Sequence, residues 1–141
     1  MAPVKRAVPL VTELTRPFWD AARERRLVIQ RCAACGYYNH PPRTACDACI
    51  STELSFEPVS GNGTVWSFTV MHEKSIQGFE EAVPYVTALV ELVEQPALLM
   101  ATNLPGSEPG TVTIGERVHV TFEPFGDDGL LLPQFEVQAP S

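Results

Sequence analysis

The chain has 141 residues, of which 45% are hydrophobic and 19% charged, and its formal net charge is −7. This is the size of one ordinary globular domain or of two very small units, and small units need a staple because a core below about 70–80 residues rarely stabilises itself. No apolar run approaches the roughly 18 residues of a membrane-spanning helix, and no signal peptide is recognisable. We therefore expect a cytoplasmic protein with reduced thiols and no membrane partner.

The charges are divided unevenly along the chain. Residues 1–31 carry seven of the ten Lys and Arg residues but only three of the seventeen Asp and Glu residues. Residues 32–141 carry three bases and fourteen acids. The local balance therefore changes from +4 to −11. We expect any electrostatic role to belong to the N-terminal part of the chain rather than to its body.

The N-terminal region predicts an arm followed by a helix. Residues 1–11 contain two prolines and no periodic pattern, which is typical of an extended arm. Thr15 is a suitable N-cap, and Pro17 falls in the first turn, where its missing N–H costs nothing. These signals predict a helix over about residues 16–26.

One side of this predicted helix is aromatic. Phe18 and Trp19 form a short apolar stripe, whereas Arg23 and Arg26 point elsewhere. Large aromatic side chains usually pack inside their own protein, but an exposed pair also suits the groove of a partner. Both interpretations stay open, and Phe18 and Trp19 are candidate partner-binding residues.

The four cysteines form two Cys-x-x-Cys pairs separated by ten residues: Cys32 and Cys35, then Cys46 and Cys49. Each pair places two thiolates on one side of a tight loop, and two such loops together make the tetrahedral sulfur cage that zinc accepts. Gly36 gives the first loop conformational freedom, whereas Ile50 follows the second pair. Short β-type runs at residues 27–31 and 51–59 flank the block, as in a zinc ribbon.

The sequence argues against two other uses of the cysteines. Two disulfides require an oxidising compartment, for which the sequence has no targeting signal. A redox Cys-x-x-Cys site is normally a single pair in a βαβ pattern, and that pattern is missing here. We therefore predict a structural zinc ion, which with four protein ligands has no open position for catalysis.

The remainder of the chain predicts a β-barrel. Ser60-Gly61-Asn62-Gly63 is a turn cluster and the expected boundary between a unit of residues 12–59 and a barrel of residues 60–141. Alternation of Trp66, Phe68 and Val70 predicts that they share one strand face. Five short strands without crossover helices favour an antiparallel five-stranded OB-fold barrel. The predicted strands are residues 64–72, 85–94, 97–102, 117–123 and 131–137, with turns at Gln95-Pro96 and Gly126-Asp127-Asp128-Gly129.

The sequence offers little for catalysis or for nucleic-acid binding. Its three histidines, His40, His72 and His119, belong to no catalytic motif, and no phosphate loop or nucleophile elbow is present. We therefore predict no catalytic residues. Residues 60–141 contain only two bases against eleven acids, a balance of −9 that would repel phosphate backbones. A nucleic-acid module is consequently the weakest of the alternatives.

Three segments resemble a bacterial and archaeal family known as domain of unknown function 35. They are RPFWDAARERRLVIQRCAACGYYNHPPRTACDACIS, GNGTVWSFTVMH and IGERVHVTFEP, and the likeness extends over about residues 10–137. The resemblance implies a mainly β protein with an N-terminal helix, a rubredoxin-like zinc ribbon and an OB barrel. It places the metal on the same four cysteines, and Ile50 departs from the glycine that is commoner at its position.

The resemblance further implies a non-catalytic accessory subunit of a thiolase-superfamily enzyme that acts on acyl-CoA thioesters, in some cases in sterol side-chain breakdown. The partner is expected to be a dimer, which gives a two-plus-two complex. The family includes tail domains of hot-dog-fold hydratases, so the chain is also interpretable as such a domain. An independent acyl-CoA or lipid carrier, with the acyl chain inside the barrel, is the alternative.

The arginines near the ribbon are candidates for contact with CoA. CoA carries several negative charges, and the predicted helix and ribbon supply Arg43, Arg23 and Arg26, whereas the barrel supplies almost no bases. We hypothesise that the helix and ribbon border the path of the pantetheine arm. A solvated cationic face without any ligand is the competing interpretation.

Overall fold

The computed structural model describes residues 9–72, 84–125 and 129–138, so most of the predicted arm and three residues of the predicted turn at 126–129 lie outside it. The described chain is mainly β, with one short α-helix, a single 3-10 turn at Pro109–Thr111 and two antiparallel sheets. In chain order the elements are α1 Arg16–Arg23, β1 Val28–Cys32, β2 Tyr38–Asn39, β3 Leu54–Pro58, β4 Asn62–Met71, β5 Tyr85–Leu92, β6 Leu99–Asn103, β7 Arg117–Phe125 and β8 Leu130–Val137. No helix among these residues is long and apolar enough to cross a bilayer.

Helix α1 begins where the sequence predicts but ends three residues earlier. Arg25 adopts a left-handed φ of 60°, and its N–H and that of Arg26 bond back to the carbonyls of Ala22 and Ala21. This is a Schellman ending that normally uses glycine, so the sequence carries no signal for it. Thr15 occupies the N-cap, but its hydroxyl bonds to Thr12 instead of to the helix.

The ribbon sheet has the order β2-β1-β3. Strand β1 pairs antiparallel with β3 over five residues, from Val28 opposite Pro58 to Cys32 opposite Leu54. The two predicted runs around the cysteine block therefore do pair, whereas the two-residue strand β2 was not predicted. Strand β1 ends at Cys32, which pairs with Leu54 of β3, so this end of the sheet leads directly into the first cysteine loop.

The second sheet has five strands in the order β6-β5-β4-β7-β8, all antiparallel, and curls so that its edge strands meet. Gln134 of β8, only 3% exposed, closes this seam because its Oε1 accepts hydrogen bonds from the Thr102 hydroxyl and the Asn103 N–H of β6. Side chains with essentially no exposure fill the interior: Val65, Val90, Val118 and Phe135. The predicted five-stranded fold is confirmed, and each strand lies within three residues of its predicted bounds.

Strand β4 contains a β-bulge that changes one predicted face. Val65 pairs with Val90 and Ser67 with Leu89, which leaves Trp66 as the extra residue. Trp66 is consequently 47% exposed, whereas Phe68 and Val70 pack on the core. The prediction that all three share a face is wrong, because an inserted residue shifts the alternation by one position.

The ribbon and barrel share one hydrophobic core and are joined by a side-chain clamp. Phe18, Leu27 and Ile29 belong to the same buried cluster as the barrel interior. The Gln95 amide accepts a bond of 2.9 Å from the N–H of Tyr38 and donates one of 3.0 Å to its carbonyl. Gln95 thus extends edge strand β2 as a further strand would. A boundary at residues 60–63 stays a prediction.

Candidate metal centre

The four cysteine sulfurs form a compact cage. All lie within 4.8 Å of one another, with 3.6 Å between the sulfurs of Cys32 and Cys49 and 3.7 Å between those of Cys35 and Cys46. A tetrahedron with metal–sulfur bonds of roughly 2.3 Å has edges of roughly 3.8 Å, whereas a disulfide requires about 2.0 Å. The spacing therefore fits four thiolates around one zinc ion and does not fit two disulfides.

Two equivalent loops hold these sulfurs. In the first, the N–H of Cys32 bonds to the Tyr37 carbonyl and the N–H of Gly36 bonds to the Cys32 carbonyl. In the second, the N–H of Cys46 bonds to Ser51 and that of Ile50 to Cys46, with distances that agree within 0.1 Å. The first cysteine of each pair, Cys32 or Cys46, is buried, and the second, Cys35 or Cys49, is exposed.

The residue after each pair takes a left-handed backbone conformation. Gly36 has a φ of 80° and Ile50 a φ of 68°. A β-branched residue rarely occupies this region because its Cβ approaches the following carbonyl. The departure from glycine at Ile50 therefore leaves the second loop strained but with the same geometry as the first.

The surroundings divide the thiols into two classes. Burial raises the pKa of Cys46, but hydrogen bonds from the N–H groups of Ala48 and Cys49 outweigh it and hold the pKa at about 6. The Tyr37 N–H lowers the pKa of Cys35, yet burial and the neighbouring thiols raise it to about 12. An incoming metal ion must therefore displace the last protons, which couples binding to pH.

Asn39 of strand β2 supports the second loop. Its Oδ1 accepts a bond of 3.0 Å from the N–H of Asp47. Its amide nitrogen is buried and has no hydrogen-bond partner among the described residues, and the Asn39 side chain lowers the pKa of the Cys46 thiol. A polar side chain that lowers the pKa of this thiol fits a ligand that is a thiolate when the metal is bound.

Comparison with known proteins relates both parts of the chain to one family. The family model of the ChsH2 rubredoxin-like zinc ribbon domain matches residues 19–55, and that of the ChsH2 C-terminal OB-fold domain matches residues 56–123. A DUF35 domain-containing scaffold protein of Methanocaldococcus jannaschii is 33% identical over 118 residues, which cover 80% of this chain and 82% of that protein.

The chain belongs to the DUF35 family.

Other relatives of this DUF35 chain are longer. A probable enoyl-CoA hydratase alpha subunit of Thermomonospora curvata is 43% identical over 124 residues, which are 87% of this chain and 37% of that protein. The 3-oxo-4,17-pregnadiene-20-carboxyl-CoA hydratase alpha subunit of Mycobacterium tuberculosis is 40% identical over 78% of this chain and 34% of its own length. The chain therefore spans about a third of these two relatives.

Solved structures agree with the fold. A chain of a structure titled Ltp2-ChsH2(DUF35) aldolase has a TM-score of 0.81 and 38% identity over 92% of this chain and 98% of its own. A DUF35 protein of unknown function from Sulfolobus solfataricus has a TM-score of 0.62 over 91% and 87% of the two chains. At 15% identity, the second likeness concerns the fold alone. Together with the cage, the family match makes Cys32, Cys35, Cys46 and Cys49 a structural zinc site.

The DUF35 fold does not gather the candidate CoA-binding arginines into one site. Arg43 lines a groove of about 590 Å³ beside Pro17 and Phe56, and its side chain pairs with Asp47 at 3.4 Å. Arg26 lines a different groove, of about 460 Å³, and is paired with Glu24 at 2.6 Å. Arg23 is exposed and has interactions of its own. A contact of these arginines with CoA stays a prediction.

The two candidate partner-binding aromatics of the DUF35 helix lie mainly inside. Phe18 is 7% exposed and belongs to the core, and Trp19 is partly buried against it with the two rings edge to face at 5.0 Å. The His40 ring centroid lies 5.8 Å from that of Phe18, with the two rings tilted by 35°. This placement favours the packing interpretation for Phe18, and the partner-binding role of the pair stays a prediction.

Two residues with clear structural roles in this DUF35 chain were not singled out by sequence reasoning. Gln95 was assigned only to a turn, because no pattern indicates that it would bond to Tyr38 57 positions away. Alternation predicted that Trp66 shares a strand face with Phe68 and Val70, and the bulge that exposes it has no glycine to mark it.

Proposed function

We propose that this chain is a non-catalytic subunit that binds and supports a thiolase-superfamily enzyme acting on acyl-CoA thioesters. The observation that carries the proposal is the match over nearly the full length of both chains to the Ltp2-ChsH2(DUF35) aldolase structure. The match covers 92% of this chain and 98% of that chain. The archaeal relatives named as scaffold proteins support the same role.

The names of two relatives support the proposed substrate class. Two are hydratase alpha subunits of CoA-linked compounds, one of them a pregnadiene carboxyl-CoA. We infer that the partner of this chain handles an acyl-CoA, with steroid side-chain degradation as the leading context and a thiolase, condensing enzyme or retro-aldol aldolase as the reaction class. A dimeric partner that carries one copy of this chain on each subunit gives the two-plus-two assembly.

The chemistry of the described residues favours the role of a non-catalytic subunit. The zinc cage uses four protein sulfurs, so the metal folds the ribbon and offers no position to substrate. The zinc would be held by the four cysteines and would supply rigidity to the loops around it. We infer that the catalytic groups come from the partner, and that Arg43, Arg26 and Arg23 act on CoA only where the partner completes a site around them.

The alternative of an acyl-CoA or lipid carrier has less support. A carrier needs an internal cavity, and the barrel axis is occupied by Phe135, Val90 and Val118, each with 0% exposure. Three grooves lined by the described residues are open to solvent, and Phe135, Val90 and Val118 line none of these three. The barrel half also keeps its acidic balance of −9, which argues against a nucleic-acid module.

The decisive experiment is affinity purification of the tagged, zinc-loaded chain from its native cell, followed by identification of the captured protein by mass. The proposal expects a thiolase-superfamily protein that is retained at physiological salt. A Cys46→Ser chain, which loses one zinc ligand, is the matched control and should capture little. Recovery of no such enzyme with the intact chain would refute the proposal.

A second measurement separates the subunit from the carrier. Titration of the purified chain with an acyl-CoA should show little binding by itself, whereas the complex should bind it tightly. Tight binding by the isolated chain would favour the carrier. Turnover of an acyl-CoA by the isolated chain would contradict the assignment of catalysis to the partner.

A further inference from the structure

The outer face of strands β4, β5 and β6 lacks the charged residues expected of a solvent-facing sheet. Cross-strand pairs place Ser67, Leu89 and Ala101 in one outward row and Met71 and Tyr85 in another. The row between them also holds only uncharged side chains: Thr69, Thr87 and Asn103. In a chain with net charge −7, such a face is a departure from the rest of the surface.

The charges on this face are confined to its last row. Thr64 pairs with Glu91 on one side and with Arg117 on the other, so one acid and one base flank it. The Glu91 carboxylate already accepts a bond of 2.9 Å from the Ala97 N–H. The centre of the face is therefore neutral and its end carries both signs.

The β-bulge exposes an aromatic side chain on this face, next to its last row. Trp66 and Ser67 both stand opposite Leu89, so the indole projects beside it with 47% of the residue exposed. Leu89 is 37% exposed. The N–H of Gly115 bonds to the Val65 carbonyl, which brings the turn with Ile114, 69% exposed, alongside the bulge. Three exposed large apolar side chains, Trp66, Leu89 and Ile114, thus belong to the bulge, to the strand paired with it and to the turn bonded to it.

We propose that this face, defined by Trp66, Leu89, Ala101 and Ile114, is the docking surface for the enzyme partner, with Trp66 as its anchor. The inference rests on the proposed function and names the part of the chain that carries it out. Tryptophan is among the residue types that most often dominate the energy of a protein interface, and Trp66 stands between the uncharged rows and the charged last row. The bulge keeps the indole out of its own core and gives it this position.

The occupant is a different protein rather than a second copy of this chain. Two copies placed face to face would bring together two barrel halves that each carry a balance of −9, which opposes association. The related chain in the Ltp2-ChsH2(DUF35) aldolase structure is titled with a second protein, and this chain aligns with 98% of it. An enzyme surface with an apolar pocket for Trp66 fits both observations.

The test compares the affinity of chain variants for the thiolase-superfamily protein captured from the native cell. Trp66→Ser should raise the dissociation constant by about 30-fold or more, because an interface anchor of this kind carries that share of the binding energy. Leu10→Ser, at another apolar residue with 84% exposure but outside the face, should leave the constant within about twofold. Oxidative footprinting should show Trp66 and Met71 protected in the complex.

Each outcome decides the matter. Zinc content and the unfolding transition are measured for both variants, and because Trp66 is exposed they should match those of the unaltered chain. If the unaltered chain binds the enzyme and Trp66→Ser binds equally well, the surface is wrong and the proposed function stands. If the unaltered chain captures no such enzyme, both fall. If Trp66→Ser instead changes the size of the isolated chain in solution, the face belongs to self-association and the proposal is overturned.

Discussion

The second cysteine loop should become more stable when its strained residue is replaced by glycine. Ile50 has a φ of 68° and is 79% exposed, so it bears backbone strain and gains little from burial. Ile50→Gly relieves roughly 2 kcal/mol of left-handed strain. Two losses reduce this gain. The greater freedom of glycine in the unfolded chain costs about 0.7 kcal/mol, and removing the small buried part of the Ile50 side chain costs about 0.4 kcal/mol.

The net expectation is a gain of about 1 kcal/mol, or roughly fivefold in zinc affinity, because folding of the ribbon and metal binding are one process. Competition against a chelator of known affinity, under reducing conditions, measures the change directly. Urea unfolding of the zinc-saturated chain gives the same quantity independently. Both should move in the same direction.

The equivalent position in the first loop is the matched control. Gly36 has a φ of 80°, and a Cβ there would lie 3.6 Å from the Arg31 guanidinium, which is ordinary contact. Gly36→Ala should therefore cost about 1 kcal/mol from backbone strain alone. If Ile50→Gly weakened zinc binding, or if both substitutions acted alike, the equivalence of the two loops would be wrong.

Three further predictions concern the clamp, a buried histidine and the cage. Gln95→Ala should lower the free energy of unfolding by about 2 kcal/mol, because the N–H and carbonyl of Tyr38 both lose a partner, while zinc content stays unchanged. Burial lowers the pKa of His40 from 6.5 to about 4, so the unfolded chain takes up its proton first and stability present above pH 6.5 is lost as pH falls toward 4. Urea unfolding at pH 7.5 and pH 5 should show His40→Gln losing about 2 kcal/mol less than the unaltered chain over this interval. Cys46→Ser should abolish stoichiometric zinc binding and the cooperative unfolding of the ribbon, as measured by elemental analysis and thermal unfolding.

Each of these has a result that would contradict it. Gln138→Ala, at an exposed glutamine, should be neutral, and a Gln95→Ala chain as stable as this control would remove the clamp from the account. Equal pH dependence with and without His40 would show that its burial has no energetic consequence. Full zinc occupancy in Cys46→Ser would exclude Cys46 as a necessary ligand.

The metal site could be predicted from the sequence because its signal is local. Cysteine spacing within a loop dictates which sulfurs can converge, and this required no knowledge of distant contacts. The barrel strands were likewise readable, since alternation such as that of Val86, Ala88 and Val90 is imposed by one buried face. Both signals are properties of short segments.

The features that were missed depend on backbone choices without a sequence marker. Arg25 and Ile50 adopt left-handed conformations that glycine usually takes. The sequence therefore did not predict the residue at which the helix ends or the backbone conformation of the second loop. The bulge at Trp66 similarly removes this residue from the strand face that it was predicted to share with Phe68 and Val70. In each case the backbone adopts a conformation that the local sequence does not predict.

The candidate arginines illustrate a limit of a different kind. A cluster of bases in sequence predicts a cationic region, but it does not predict whether the side chains converge. Arg26 and Arg43 line separate grooves and are each paired with a nearby acid, Glu24 and Asp47. Counting charges along the chain therefore identifies a cationic region, but it overstates how closely the candidate arginines are grouped.

Native mass spectrometry of the complex captured from the cell tests the central claim most directly, because it weighs the metal and the partner together. We expect a thiolase-superfamily protein associated with this chain, with one zinc ion retained on each copy of the chain. A metal-free chain in fully reduced material, or a chain without such a partner, would contradict the account.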